Sequence, residues 1–513
     1  MHLTDILSDF GVTPFLLALV LALVLLSQPR AKPLSAIPTS RLVEWLPFYR
    51  MAIIATGQSH LFELSLHKRF GSVVRLNDTA ISVADPDIAY KFLRIDDIKK
   101  SRFYERLRRN NDPPNLVTHR DPVEHKAMRH LVSPAFSIRY LAGLEPLMGE
   151  LIEELEKSLG SSPRVDMGRV YHLFAMDFIS KAAFGQSLHA VVNGTHPFIA
   201  NLKSGLLWAV VGLAFPFIPT HKFPAVKRLR QSNDSIIDSF IFDRRKMNEE
   251  GKRRDDILQV LMDQNLDHLP LRTNLRVFFT AGSETTANTL TWATYMLLRN
   301  PQTLERLRQE LDSAFPDGLR VVLPVSALKT LPYLNAVIKE TLRLRPVAAT
   351  VSREIEEDTT ITGHRVDGTP VVYHVPGGTH VDVSICALQR NPQIWIRPDD
   401  FWPERWLAEI SGDEEAWGVG SEGKGDEKHS ERFVYGTPKV VCREAYIPFS
   451  MGSRDCIGRN LAWNELRVVL AHVVRRYDIT AEFDTSLDLQ GKEYVTVGLG
   501  SKTGLPVKLH RRQ

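Results

Sequence analysis

Between Asp9 and Arg30 the chain carries no charged side chain for twenty residues, and from Leu16 to Leu26 every residue is Leu, Ala or Val. As a helix this run reaches about 30 Å, the depth of a bilayer core. No polar stripe interrupts it, so it has no face suited to water, which argues against an ordinary core helix. Asp5 and Asp9 precede the run, and Arg30 and Lys32 follow it. A cleaved secretory leader has the opposite arrangement, with a basic start and a small-residue cleavage site. The expectation is a transmembrane anchor over 10–28, with residues 1–9 lumenal and the rest facing the cytosol by the positive-inside rule. Residues 29–46, with Pro29, Pro33 and Pro38, form a stiff linker.

The remaining 47–513 reads as one large body. Of the 513 residues, 43% are hydrophobic and 24% charged, a balance that excludes disorder, collagen and a polytopic membrane protein. With 64 Lys and Arg against 60 Asp and Glu, the net charge of +4 is too small for a chain built to grip nucleic acid. Three cysteines, Cys386, Cys442 and Cys456, make no disulfide framework, so a cysteine with a task is a ligand or a nucleophile. Helical periodicity dominates, as in Glu145 to Leu159 and Leu275 to Leu298, where Asn300-Pro301 supplies a stop. Strand-like stretches (Ser72 to Leu76, Ala80 to Ala84, Val381 to Ile385) are fewer, and no internal repeat occurs. The Gly-rich, charged stretch 411–430 reads as a surface insertion. Within it Gly418 to Lys424 imitates a phosphate-binding loop, but Gly425 stands where a hydroxyl residue is needed, so nucleotide binding is discounted.

The strongest chemical signal is Pro448-Phe449-Ser450-Met451-Gly452-Ser453-Arg454-Asp455-Cys456-Ile457-Gly458, followed by helical periodicity from Asn460 to Val474. Cys456 then precedes a helix N-terminus, whose N–H groups and partial positive charge favour a thiolate. Gly452 and Gly458 permit a tight turn and the approach of a flat cofactor, Phe449 can screen the sulfur, and Arg454 offers a cation to a carboxylate.

These residues resemble the haem-binding loop of the cytochrome P-450 family, in which Phe, Gly, Arg, Cys and Gly recur at the spacing of Phe449, Gly452, Arg454, Cys456 and Gly458. The resemblance implies haem, iron protoporphyrin with Cys456 as axial thiolate and metal ligand. It extends from about Pro47 to the C-terminus and implies a mainly α single-domain fold with a smaller β portion, preceded here by the transmembrane helix. Three further stretches carry it. Glu340-Thr341-Leu342-Arg343, with Arg405 in Pro403-Glu404-Arg405-Trp406, matches the family's structural triad of Glu340, Arg343 and Arg405, although Trp406 stands where relatives more often have Phe. Ala281-Gly282-Ser283-Glu284-Thr285-Thr286 matches the oxygen-activation signature. There Glu284 and Thr285 are the catalytic acid and alcohol of a proton relay, Ala281 and Gly282 keep the haem face open, and mid-helix hydroxyls can bend the helix or admit water. His125-Lys126-Ala127-Met128-Arg129 matches an early-helix motif, and makes His125, Arg129 and, after the Glu340 helix, Arg353 candidate propionate contacts beside Arg454.

The resemblance further implies a monooxygenase that inserts one atom of O2 into a lipophilic small molecule. Its electrons come from NADPH through a separate NADPH–cytochrome P-450 reductase, with cytochrome b5 as a second donor, since the chain has no nicotinamide or flavin fingerprint of its own. Basic residues near the cysteine loop, Lys439, Arg443 and Arg459, suit an acidic redox partner or simply a solvated face. By position Phe103, Val117, Phe278, Ala281, Val347, Ala348 and Val497 line the substrate pocket. The apolar stretch Leu206 to Pro219 reads either as a membrane-dipping substrate entrance or as core. The pattern is most like fungal microsomal members, held single-pass in the endoplasmic reticulum membrane, many of which tailor secondary metabolites. A haem-thiolate enzyme that rearranges or dehydrates without a reductase, and a haem-based sensor, are the alternatives; the Glu284-Thr285 pair disfavours both. His374 and His380 read as solvent-facing, and the glycan acceptor patterns at Asn77, Asn193 and Asn233 as unused in the cytosol.

Overall fold

The computed structural model describes residues 33–46, 49–109, 112–160, 163–215, 218–254, 256–319, 322–407, 435–501 and 503–512. The proposed anchor 10–28 and the insertion 411–430 with its loop-like motif lie outside these residues. Among the described residues no helix is long and apolar enough to cross a membrane.

Helices carry most of the chain. The principal ones are α1 Arg41–Trp45, α2 Tyr49–Thr56, α3 Ser59–Phe70, α4 Pro122–Val132, α5 Glu145–Leu159, α6 Met167–Phe184, α7 Pro197–Ala214, α8 Pro224–Glu249, α9 His268–Arg299, α10 Pro332–Leu344 and α11 Arg459–Arg476. α6 is apolar on almost every face, and such a helix is stable only when enclosed. It lies along α9, the most extensive helix pairing in the molecule. Its ends are set locally: the Asp166 side chain caps the first turn, and Gly185 stops the helix in a left-handed conformation at φ 69°. α9 threads the core, with Leu275, Phe279, Leu290, Trp292 and Tyr295 fully enclosed. Gly282 is where the two helices meet, because a Cβ there would come within 2.8 Å of the Ile179 side chain. Gly282 thus serves the α6–α9 contact, and the open face expected of it falls to Ala281. The hydroxyl run lies within one continuous helix, the Ser283, Thr285, Thr289 and Thr291 hydroxyls each donating to the carbonyl four residues back.

The β portion comprises β1 Val73–Asn77, β2 Ala80–Val83, β3 Arg164–Asp166, β4 Thr350–Glu354, β5 Thr359–His364, β6 Pro370–Val375, β7 His380–Ser384, β8 Tyr477–Ala481, β9 Gly491–Tyr494, β10 Thr496–Leu499 and β11 Pro506–Arg511. The largest sheet has the order β1-β2-β7-β4, with β2 and β7 parallel and the outer pairs antiparallel. β5/β6 and β9/β10 are hairpins, and β11 lies between β3 and β8.

Two buried polar centres tie these layers together. In the first, Glu340 on α10 accepts from Arg343 Nε and Nη2 at 2.9 Å, from Arg405 Nε at 3.1 Å and from the Trp402 N–H at 3.0 Å. Trp406 departs from the commoner Phe, and its Nε1 adds a further bond to Glu340 at 2.9 Å. The spare guanidinium N–H groups donate to the carbonyls of Gln389, Pro398, Asp400, Ile396, Val440 and Arg397. All three charged residues are fully buried, so Glu340→Gln would strand two guanidiniums and should cost about 3–5 kcal/mol of unfolding free energy, read as a fall in the denaturant midpoint.

The second centre lies where α3 packs on the large sheet. Asp382 on β7 accepts from Arg50, Ser352 and His380, and Glu63 on α3 accepts from Ser82 on β2. His380 is therefore engaged with Asp382 at 2.7 Å, not turned to solvent as expected; His374 is exposed. Asn233 is buried on α8, which removes it as a glycan acceptor on steric grounds alone. Burial, reinforced by Asp382, pushes the Glu63 carboxyl up to about 8. An acid whose pKa rises on folding stabilises the native state below its unfolded pKa and loses that contribution as pH climbs through the folded value. Stability should thus decline between about pH 5 and 8, and Glu63→Gln should flatten that decline in thermal unfolding curves.

Candidate active site

The cysteine loop is shaped by two residues with left-handed backbone, Ser450 at φ 60° and Gly452 at φ 79°. A Cβ on Gly452 would run into the Leu93 carbonyl oxygen, so glycine is required there for close approach as well as for conformation. The Cys456 N–H donates to the Phe449 carbonyl at 3.0 Å, closing the loop just before Gly458 caps α11. At Gly458 a Cβ would lie 3.9 Å from the Cys456 Sγ, an ordinary contact, so its value is in the cap. Asp455 is clamped by Arg129, at 2.7 Å to its carbonyl and 2.5 Å to Oδ1, and by Arg459 at 2.6 Å to Oδ2. Arg129, expected on a propionate, thus holds the residue that aims the cysteine. Burial pushes the free Cys456 thiol up, opposed by the Gly458 N–H and the Arg459 and Arg129 charges. Yet the residue is exposed.

Cations line one margin of the site. Arg454 is buried and donates to the carbonyls of His119 at 2.9 Å and Arg120 at 3.2 Å. Arg353 is buried on β4 near Tyr104, and its Nε and Nη2 have no hydrogen-bond partner among the described residues. Lys100, which the sequence reading missed, bridges to Arg353 through the backbone and donates Nζ to the carbonyls of Val117 at 2.7 Å and Leu116 at 3.3 Å. Nothing in its local sequence sets it apart; only the fold puts it inside. Burial lowers the pKa of each of these three; neighbouring positive charges lower two of them further, Arg454, Arg353 and Arg129 acting on Lys100 and Arg353 on Arg454, whereas Tyr104 and Asp97 oppose the shift at Arg353. His125 is pushed down to about 3 by burial and then by Lys100 and Arg454, so it is a neutral imidazole.

On α9, Ala281 is exposed and Val277 and Thr285, one turn to either side of it, are partly exposed, in a stretch whose Leu275, Phe278, Phe279, Ser283 and Glu284 are buried. The Thr285 hydroxyl donates to the Ala281 carbonyl at 2.8 Å. Glu284 is buried, accepts from Asn288 Nδ2 at 3.2 Å and lies 3.3 Å from His172 Nε2 on α6, a second residue absent from the sequence reading. Among expected pocket residues, the Val497 N–H donates to the Val347 carbonyl at 2.8 Å, joining β10 to the turn that also carries Ala348. Val117 hangs from Lys100, and Phe103 is half-buried against Tyr104. The Phe278 ring packs on Phe136, which also reaches Gly458. Of the apolar stretch, Trp208 lies 5.4 Å from Phe223, and α7 packs on α2.

A flat group bearing two carboxylates and needing a thiolate ligand fits this arrangement. Cys456 and Ala281 are both exposed although the elements around them are largely enclosed, and the buried cations exceed the described acids beside them, Asp97 and Asp121, while Arg353 Nε and Nη2 have no acceptor among the described residues. The family described as cytochrome P-450 matches residues 43–504. Curated relatives include the fungal cytochrome P-450 monooxygenases acrD of Aspergillus aculeatus, 29% identical over 91% of both chains, and LUC2 of a Fusarium species, 30% identical over 87% of this chain and 83% of its own. Another, mpsF of Macrophomina phaseolina, is 29% identical over 81% of this chain and 98% of its own length. The chain belongs to the cytochrome P-450 family: it is an oxygen-incorporating oxidoreductase whose cofactor is iron protoporphyrin held by a cysteine thiolate. Removing one buried cation should loosen that cofactor: Arg353→Met should speed haem loss to an acceptor protein by about tenfold or more, the worth of one charge-assisted hydrogen bond.

Proposed function

We propose that the chain is a single-pass protein of the endoplasmic reticulum membrane that oxygenates a lipophilic intermediate of fungal secondary metabolism, with electrons from NADPH through a separate NADPH–cytochrome P-450 reductase and, as a second donor, cytochrome b5. The observation that carries the reading is an exposed cysteine in a glycine-shaped loop at the start of α11, together with the exposed Ala281 and partly exposed Thr285 on the otherwise buried helix α9. When bound, iron protoporphyrin supplies the binding and reductive cleavage of O2. Cys456 would ligate its iron. Arg454, Arg353 and Lys100 would receive the propionates, with His125 as a neutral N–H donor, and Arg129 would fix the loop through Asp455. Ala281 leaves the oxygen side open. Thr285 holds a proton at Oγ1 and Glu284 resupplies it. Val347, Ala348, Val497, Val117 and Phe103 exclude water and orient the substrate.

Surface composition supports delivery of substrate from lipid. Leu42, Trp45 and Leu46 are exposed in and beside α1, α2 buries none of its residues, and Phe223 is exposed next to Trp208. Exposed apolar side chains on these successive elements suit contact with acyl chains. Two variants test the reading. Cys456→Ser should bind haem without the red-shifted carbonyl Soret band of thiolate ligation. Thr285→Ala, with reductase and NADPH, should divert most electrons into hydrogen peroxide; unchanged electron coupling would count against a monooxygenase and in favour of a rearranging enzyme or a sensor.

A further inference from the structure

His172 stands behind the α9 hydroxyl run and has no part in the reading above. Its Nδ1 lies 2.7 Å from the Gly168 carbonyl oxygen, one turn back in α6. A carbonyl oxygen only accepts, so Nδ1 carries the hydrogen of that contact. The other ring nitrogen, Nε2, lies 3.3 Å from Glu284 Oε2. An ionised carboxylate also only accepts, and although the two atoms are not aligned as a hydrogen bond, a lone pair on Nε2 this close to a carboxylate is repelled by it, which one more proton on the pair relieves. That proton gives either an imidazolium against a carboxylate or a neutral imidazole against a carboxylic acid. Both side chains are only 12% exposed, so water screens the contact weakly.

Glu284 is held from a second side. Its Oε1 accepts from Asn288 Nδ2 at 3.2 Å, and the same nitrogen lies 3.3 Å from Thr496 Oγ1 on β10, beside the pocket residue Val497. The carboxyl is thus fixed between α6 and the hairpin that borders the pocket. Asp166, the carboxylate at the start of α6, is occupied by the Leu505 and Arg169 N–H groups, at 2.8 and 3.4 Å.

We propose that His172 is a positioning residue of proton delivery: it fixes the Glu284 carboxyl beside Thr285 and keeps a proton on the pair, ready for Thr285 to draw on. This rests on the reading of Glu284 and Thr285 as the proton relay. It acts through Glu284 and touches no reacting atom. A glutamine could supply a donor of similar reach but could not carry the extra proton, which separates positioning with proton storage from simple packing.

The test uses the full-length holoenzyme with reductase, NADPH and no added organic substrate, so that oxygen consumption reports oxygen reduction alone. His172→Gln should slow it about tenfold and raise its solvent deuterium isotope effect to the level of Glu284→Gln, with no further change in the double variant. Thermal unfolding supplies a readout free of turnover: each single variant should lower the midpoint by about 2 °C, and the double variant should fall no further. An isotope effect unchanged by His172→Gln, while Glu284→Gln raises it, overturns the inference whether the midpoints add or not; non-additive midpoints would then make His172 a packing residue. An isotope effect unaltered by Glu284→Gln, together with unchanged electron coupling in Thr285→Ala, would remove the relay reading itself, and the proposal with it, even if the midpoints of the pair remained non-additive.

Discussion

Positive charge enclosed without matching negative charge is the constraint around which this molecule is organised. Lys100, Arg353 and Arg454 come from three distant stretches of chain; burial makes each less basic, and neighbouring positive charge lowers Lys100 and Arg454 further. A fold does not assemble such a group for its own stability, because desolvated like charges repel strongly. The arrangement makes sense when an anion arrives, and the two carboxylates of the family's cofactor are the anion it fits. Cofactor binding and completion of the fold are in this respect one event, since mass action on the native state adds its binding free energy to stability.

The Glu340 centre is the counterexample within the same chain. There the cations have a carboxylate, and their remaining N–H groups have backbone carbonyls, so the cluster is satisfied by the polypeptide alone. It also fastens the segment that leads from α10 toward the cysteine loop: the Gln389 side chain donates to the Leu342 and Arg343 carbonyls and accepts from the Ile447 N–H. One centre is complete and holds the scaffold; the other is incomplete and marks the site.

Local signals were legible in the sequence where local physics decides the outcome. The period of Glu145 to Leu159 predicts a helix that the structure reproduces end to end, and β-branched runs locate β1, β2 and β7 to within a residue or so. What the chain does not announce is pairing across distance, as when β2 lies parallel to β7 some 300 residues later. The same limit hid Lys100 among surface-like lysines and His172 within an apolar helix. It also misassigned Gly282, whose missing side chain answers to Ile179 on another helix. Motif spacing located Cys456, Arg454 and Glu284, but their partners Asp455–Arg129, His119 and His172 are tertiary facts.

The close approach of Gly452 to Leu93 couples the cysteine turn to the widened helical turn Lys91–Ile95, which buries Phe92 and Leu93 and leaves Ile95 bare at the surface. Even a single methyl at 452 would act as a wedge between the two, prying the turn outward while the distant core stayed intact. The earliest symptom of drift at that codon would be a misdirected sulfur in an otherwise sound globule, so the position tolerates mutation far less than its place in a surface-adjacent bend suggests.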